Sequence, residues 1–190
     1  MTNFSGSANK RPRVAEPVPY RPDRLLEVLE RHQVRYVVIG GLAAAIHGSP
    51  YITRDVDVTP ARDRVNFVQL AAALRELDAK LHVPDLEYPV EVPLDERSFE
   101  EGTTSTYVTK HGNLDVDLLP DGTRGYEDLR RGATRAQLSE TLEVSVASLA
   151  DVIRSKEAAG REKDRAVLPA LRQVLERSQD LGREGPGIKF

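Results

Sequence analysis

The run Tyr36-Val37-Val38-Ile39, broken at once by Gly40-Gly41, constrains this chain more than any other segment. Four nearly all-apolar residues read as a short strand buried on both faces. Leu42 to His47 then reads as a short helix, stopped by Gly48. A strand that turns through glycine into a helix aims backbone N–H groups at whatever sits above the strand end, an arrangement suited to an anion. Asp55 to Thr59 reads as the next strand, ended by Pro60. Its alternation sends Asp55, Asp57 and Thr59 to one side and Val56 and Val58 to the other.

The remaining chain predicts more elements of both kinds. Pro22-Asp23 opens a helix whose Leu25, Leu26, Val28 and Leu29 share a face. Arg62 to Asp78 reads as an amphipathic helix with Val65, Phe67, Val68, Ala71, Ala72 and Leu74 inward. Lys80 to Glu101 holds prolines and acids without clear periodicity. Thr103 to Thr109 and Leu114 to Leu119 flank His111-Gly112-Asn113 and read as a hairpin. Leu142 to Val146 alternates as one more strand. Ser148-Leu-Ala-Asp151 has capping-box spacing and starts a helix to about Ala159, and a last helix is expected from Lys163 to Gln179.

With 190 residues, the chain is long enough for one domain with a core and a small helical extension. We expect a flexible tail over 1–19, a core over 20–146, C-terminal helices over 147–180 and a second flexible tail from 181 to 190. Lys10, Arg11 and Arg13 read as a solvated end rather than an RNA-binding arm. The absence of cysteine excludes disulfides and thiolate-bound metal and fits a reducing, cytoplasmic location. No segment reads as a secretory signal or a membrane span. A net charge of -3 excludes a molecule that is basic all over, so any nucleic-acid contact needs a local patch. Arg124, Arg130, Arg131 and Arg135 are the candidates for one.

Two carboxylates on one strand face repel each other and cost stability at a buried strand end unless a cation neutralises them. Mg²⁺ takes hard oxygen ligands, typically one or two carboxylates with phosphate oxygens and waters. Asp55 and Asp57 fit that role. A third carboxylate on a neighbouring strand completes a two-metal site. Asp117 is the candidate, and Asp115 shares its face. The helix after Ser148 carries Leu149, Val152 and Ile153 on one stripe, which Lys156 continues. A lysine on an inward stripe needs an anion or must reach out to water. The stripe Leu168, Leu171, Leu175 of the last helix extends back to Asp164, which we expect to orient Lys156 or a nearby arginine. Arg161 and Lys163 are candidates for phosphate contacts. His32, His47, His82 and His111 lack metal-ligand spacing, and His47 is expected to pack or bond near its turn.

Gly40-Gly41, thirteen residues, then Asp55-Val56-Asp57 resembles the signature of the polymerase-β-like nucleotidyltransferase superfamily. His47-Gly48-Ser49 with Thr53-Arg54-Asp55-Val56-Asp57, Val116 to Pro120 and Val146 to Asp164 resemble its AbiEii/MenT-type toxin branch. The resemblance spans roughly Leu25 to Leu175. It implies a minimal nucleotidyltransferase fold of mixed α/β class, a mixed sheet flanked by helices with a C-terminal helical extension. It also implies Mg²⁺ on Asp55, Asp57 and Asp117, and an NTP held by Gly40, Gly41 and Lys156. The activity implied is transfer of a nucleoside monophosphate to an acceptor hydroxyl, in the toxin branch the 3′ end of tRNA, opposed by a cognate antitoxin. One departure is visible. Many members carry Gly-Ser at the turn, which leaves Ser49 as the candidate replacement hydroxyl. The residues alone leave other readings open: an aminoglycoside-like acceptor, a protein hydroxyl, or a nucleotide-binding module without turnover.

Overall fold

The computed structural model describes residues 19–100 and 104–183. The expected N-terminal tail lies outside them except for Pro19, as do residues 184–190. The order is α1 (Pro22–Arg31), β1 (Tyr36–Ile39), α2 (Gly40–Ile46), β2 (Asp55–Pro60), α3 (Arg64–Glu76), β3 (Lys80–Leu81), a 3₁₀ turn (Glu96–Phe99), β4 (Thr104–Thr109), β5 (Gly112–Asp117), α4 (Tyr126–Gly132), β6 (Thr134–Gln137), β7 (Glu143–Val146), α5 (Leu149–Ala159) and α6 (Glu162–Arg183). The strands form one mixed sheet in the order β3-β4-β5-β2-β1-β7-β6. Among the described residues, no helix is long and apolar enough to cross a membrane.

Strand β1 lies near the middle of the sheet with all four residues buried, as its apolar run requires. It pairs antiparallel with β2, Ile39 abreast of Asp57, and parallel with β7. On β2, Val56 and Val58 are fully buried on the face opposite the aspartates. Those valines fix the strand's phase: a slip of one residue would put them in the cleft and the acids in the core. Each is worth roughly 1.5–3 kcal/mol in burial, so the acids are held in place by apolar packing. Strand β5 runs parallel to β2 and forms the expected hairpin with β4.

Several expectations need correction. In α3, Val65 is 66% exposed and Val68 47%, whereas Asn66 and Leu70 are buried. Asn66 turns inward because its amide group serves three backbone partners, of which Arg35 O also accepts from Ala61 N at 2.9 Å. It accepts from Arg35 N at 2.7 Å and donates to Arg35 O at 3.0 Å and Ala61 O at 2.9 Å. Apolar periodicity alone cannot see such a plug. Helix α6 runs to Arg183, past Gln179. His47 bonds across the fold, its Nε2 lying 2.8 Å from Ala147 O, and so ties the end of α2 to the β7–α5 junction. Neither α4 nor β6 was expected: α4 buries only Leu129, and β6 is an exposed edge strand.

Candidate active site

Strand β2 delivers Asp55 and Asp57 to one face of the sheet, and β5 places Asp115 directly abreast of Asp57. Asn113 stands abreast of Asp55. Asp117 lies two residues further along β5, where Asp117 Oδ1 accepts from Leu119 N at 3.1 Å. The carboxylate beside Asp57 is therefore that of Asp115, while Asp117 stands further along the strand. Burial, reinforced by Asp55 and Asp115, pushes Asp57 up to about 7 from 3.8, although the Gly41 amide and Lys156 pull the other way. Burial also raises Asp115, with Asp55 adding to it and Lys163 and Arg161 opposing. Asp117 is raised by burial and by Asp121, and Arg161 opposes.

The glycine turn is built around these acids. Gly40 has φ +64°, and a Cβ there would overlap the Asp57 carboxylate, 2.5 Å from its Cγ. Only glycine combines that backbone with that approach. Gly41 N donates to Asp57 Oδ2 at 3.3 Å, so in this structure the turn holds a carboxylate. Tyr20 braces the strand from outside, its hydroxyl donating to Asp55 O at 3.2 Å.

Opposite the acids stand α5 and α6. Lys156 Nζ lies 2.8 Å from Asp164 Oδ1, and both side chains are largely buried. Of the two partners the stripes offer for Asp164, Lys156 or a nearby arginine, it is Lys156. Ser148 caps α5 by accepting from Asp151 N at 3.1 Å, which fixes where the stripe begins. Gly160, in the left-handed region at φ +61°, ends α5 and lets α6 fold back onto it.

Gly40, Gly41, Ser49, Asp55, Asp57, Asp117, Lys156, Arg161 and Asp164 all line a single cleft of about 420 Å³. Seven aspartates and four cations line it in total, an excess of negative charge. Lys156 is matched by Asp164, whereas Arg54, Arg161 and Lys163 have no acid within ion-pair distance among the described residues. Thr53 and Arg54, which the sequence offers only as part of a matching string, also line the cleft. Thr53 lies just before β2, past a bend at Arg54, so the alternation of the strand does not place it.

The donor set fits Mg²⁺. All the site's negative groups are hard carboxylate oxygens, and Asp115 Oδ1 is buried without a hydrogen-bond partner among the described residues. No three acidic or imidazole side chains among those residues form a closed cage for an ion. Mg²⁺ needs no such cage where phosphate oxygens and waters complete its shell.

The expected basic cluster is engaged elsewhere. Arg131 meets Asp128 at 2.8 Å, Arg124 meets it at 3.8 Å, Arg130 meets Glu127 at 2.9 Å and Arg135 meets Glu143 at 3.0 Å. Asp128 also holds Arg154 at 2.8 Å, so these contacts knit α4 to α5.

No family model matches the sequence, and no curated protein does. Solved structures do resemble the fold. The lincomycin-bound lincosamide antibiotic adenylyltransferase LnuA superimposes with TM-score 0.54 at 12% identity, over 80% of this chain and 95% of that one. A Thermotoga maritima protein assigned as a nucleotidyltransferase gives 0.48 at 18% identity, over 83% and 96%. The antibiotic-resistance factor ANT(2'')-Ia gives 0.45 at 13%, over 85% and 95%. The last two scores are too low to carry weight. The mixed seven-stranded sheet with its C-terminal helices is a nucleotidyltransferase fold.

Proposed function

We propose that the chain is a Mg²⁺-dependent nucleotidyltransferase that moves a nucleoside monophosphate from an NTP to an acceptor hydroxyl and releases pyrophosphate. The observation that carries this reading is the meeting of Asp55, Asp57 and Asp115 with the Lys156–Asp164 pair across one cleft. Asp55, Asp57 and a carboxylate of β5 would hold Mg²⁺, which when bound cancels charge on the phosphate oxygens and on the attacking and leaving oxygens. Lys156, held by Asp164, faces the triphosphate with Arg161 and Lys163. Gly40, Gly41 and Ser49 line its seat. The acceptor oxygen attacks the α-phosphorus in line, and the α–β phosphoanhydride bond breaks. The acceptor's proton passes to a β5 carboxylate, Asp115 or Asp117, both of which line the cleft. Rate comes from positioning and charge neutralisation.

The acceptor implied by the sequence resemblance is the 3′ end of tRNA, opposed by a cognate antitoxin. One observation favours a second reading, a small hydroxylated acceptor of aminoglycoside type. The arginines that would meet an RNA backbone are each engaged by an acid, and the cleft holds more acids than cations. The test is incubation with each α-labelled NTP, Mg²⁺, and either total cellular RNA or an aminoglycoside panel. Label should move to one acceptor class, and Asp57→Ala should abolish the transfer with the fold intact. Transfer by Asp57→Ala at the wild-type rate would remove the metal-site assignment.

A further inference from the structure

The Gly-Gly turn leaves a gap in the chemistry of the cleft, since no side chain at position 41 offers a hydroxyl. Ser49 does not fill that place. It follows α2, whose seven residues span about 10 Å, and its hydroxyl accepts from Tyr51 N at 3.3 Å. Thr53 does fill it. A Cβ built on Gly41 would lie 2.5 Å from Thr53 Oγ1 and 2.7 Å from Thr53 Cβ. The threonine side chain therefore occupies the volume that a serine at position 41 would need. Its hydroxyl donates to the Asp55 carboxylate and lines the cleft beside the turn.

We propose that Thr53 supplies, from the strand side, the hydroxyl of this turn, and that it is a nucleotide-binding residue whose O–H donates to the triphosphate. The inference rests on the nucleotidyltransferase reading. A hydroxyl has one proton and two lone pairs. In the nucleotide-free protein that proton goes to Asp55. With nucleotide in place the same O–H turns to a phosphate oxygen, a donor–anion bond of the stronger kind. Gly41 is glycine in this account because the hydroxyl has changed its position in the chain: residues 41 and 53 compete for one space, and only one of them can carry the group.

The test is calorimetric binding of α,β-methylene NTP with Mg²⁺ to the full chain, using the base that the wild type prefers among the four. Thr53→Val keeps the shape and removes the hydroxyl, and should weaken binding about 10-fold or more. Thr53→Ser should bind within about threefold of wild type. Gly41→Ser alone should bind poorly for lack of room, and Gly41→Ser/Thr53→Gly should recover most of the loss, a non-additive pair. Mn²⁺ binding without nucleotide should change much less in Thr53→Val than nucleotide binding does, since only the bond to Asp55 is lost there. The proposal is overturned if Thr53→Val binds nucleotide like wild type, or if Thr53→Ser is as weak as Thr53→Val. It is equally overturned if Mn²⁺ affinity falls in step with nucleotide affinity, because Thr53 would then act only through Asp55. If the double variant does not fold, the Val–Ser comparison decides. Failure of wild type to bind any of the four nucleotides would instead remove the parent reading.

Discussion

Asp57→Asn is expected to stabilise the metal-free protein above neutral pH while abolishing its activity. In the folded chain Asp57 is pushed up to about 7 from 3.8, first by burial and then by Asp55 and Asp115. The folded state binds this proton more tightly than the unfolded chain does. The group's contribution to stability is therefore complete below about pH 4 and is lost as pH climbs through about 7. At roughly 1.36 kcal/mol for each pH unit of that gap, the full loss is about 4 kcal/mol, and water entering an open cleft reduces it to between about 1 and 4. Asparagine keeps the shape and leaves a carbonyl oxygen to accept from Gly41 N, so the substitution removes charge rather than packing. The assay is urea unfolding of both proteins from pH 4 to pH 8 in EDTA. The difference in stability should grow in favour of Asp57→Asn across that interval and level off above pH 7. Adding Mg²⁺ at pH 8 should close the difference by stabilising the wild type more. If Asp57→Asn is no more stable than wild type at pH 8 in EDTA, the three carboxylates are not under the mutual strain described.

Other outcomes follow from the same geometry. Gly40→Ala should lose about 2 kcal/mol or more in urea unfolding and most of its nucleotide transfer, because the added Cβ enters the left-handed region and meets the Asp57 carboxylate. Asp164→Ala should cost about 3–5 kcal/mol by leaving Lys156 without its partner, and Lys156→Met/Asp164→Leu should restore most of that stability without restoring transfer. Asp115→Asn should lower the rate of transfer at least as much as Asp117→Asn, by about 100-fold or more, measured with labelled NTP. A much greater loss in Asp117→Asn would place the third carboxylate further along β5 than the strand register suggests.

The parts of this fold legible in the sequence are those whose burial writes a period into the residues. Strand β1 is apolar throughout because both faces are covered, and β2 alternates because one face meets the core and the other the cleft. Lys156 and Asp164 were visible as charges breaking apolar stripes. A buried charge must be answered by another, and Lys156 was one of the two partners the sequence offered for Asp164. What escaped was set by contacts between segments distant in sequence. Asn66 is inward because two loop carbonyls and an amide bond to it, and nothing on α3 itself says so. Asp115 stands beside Asp57 because of the parallel register of β5 on β2, and strand periodicity fixes a face but not a register. Thr53 shows the same limit at the scale of one atom. It precedes β2, past a bend at Arg54, so no strand period places it, and only the missing Cβ of Gly41 reveals what its hydroxyl replaces. The acids declare themselves in sequence because charge is expensive to bury. The neutral groups that position them carry no such mark, and they emerge only where two backbones come close enough to exclude a side chain.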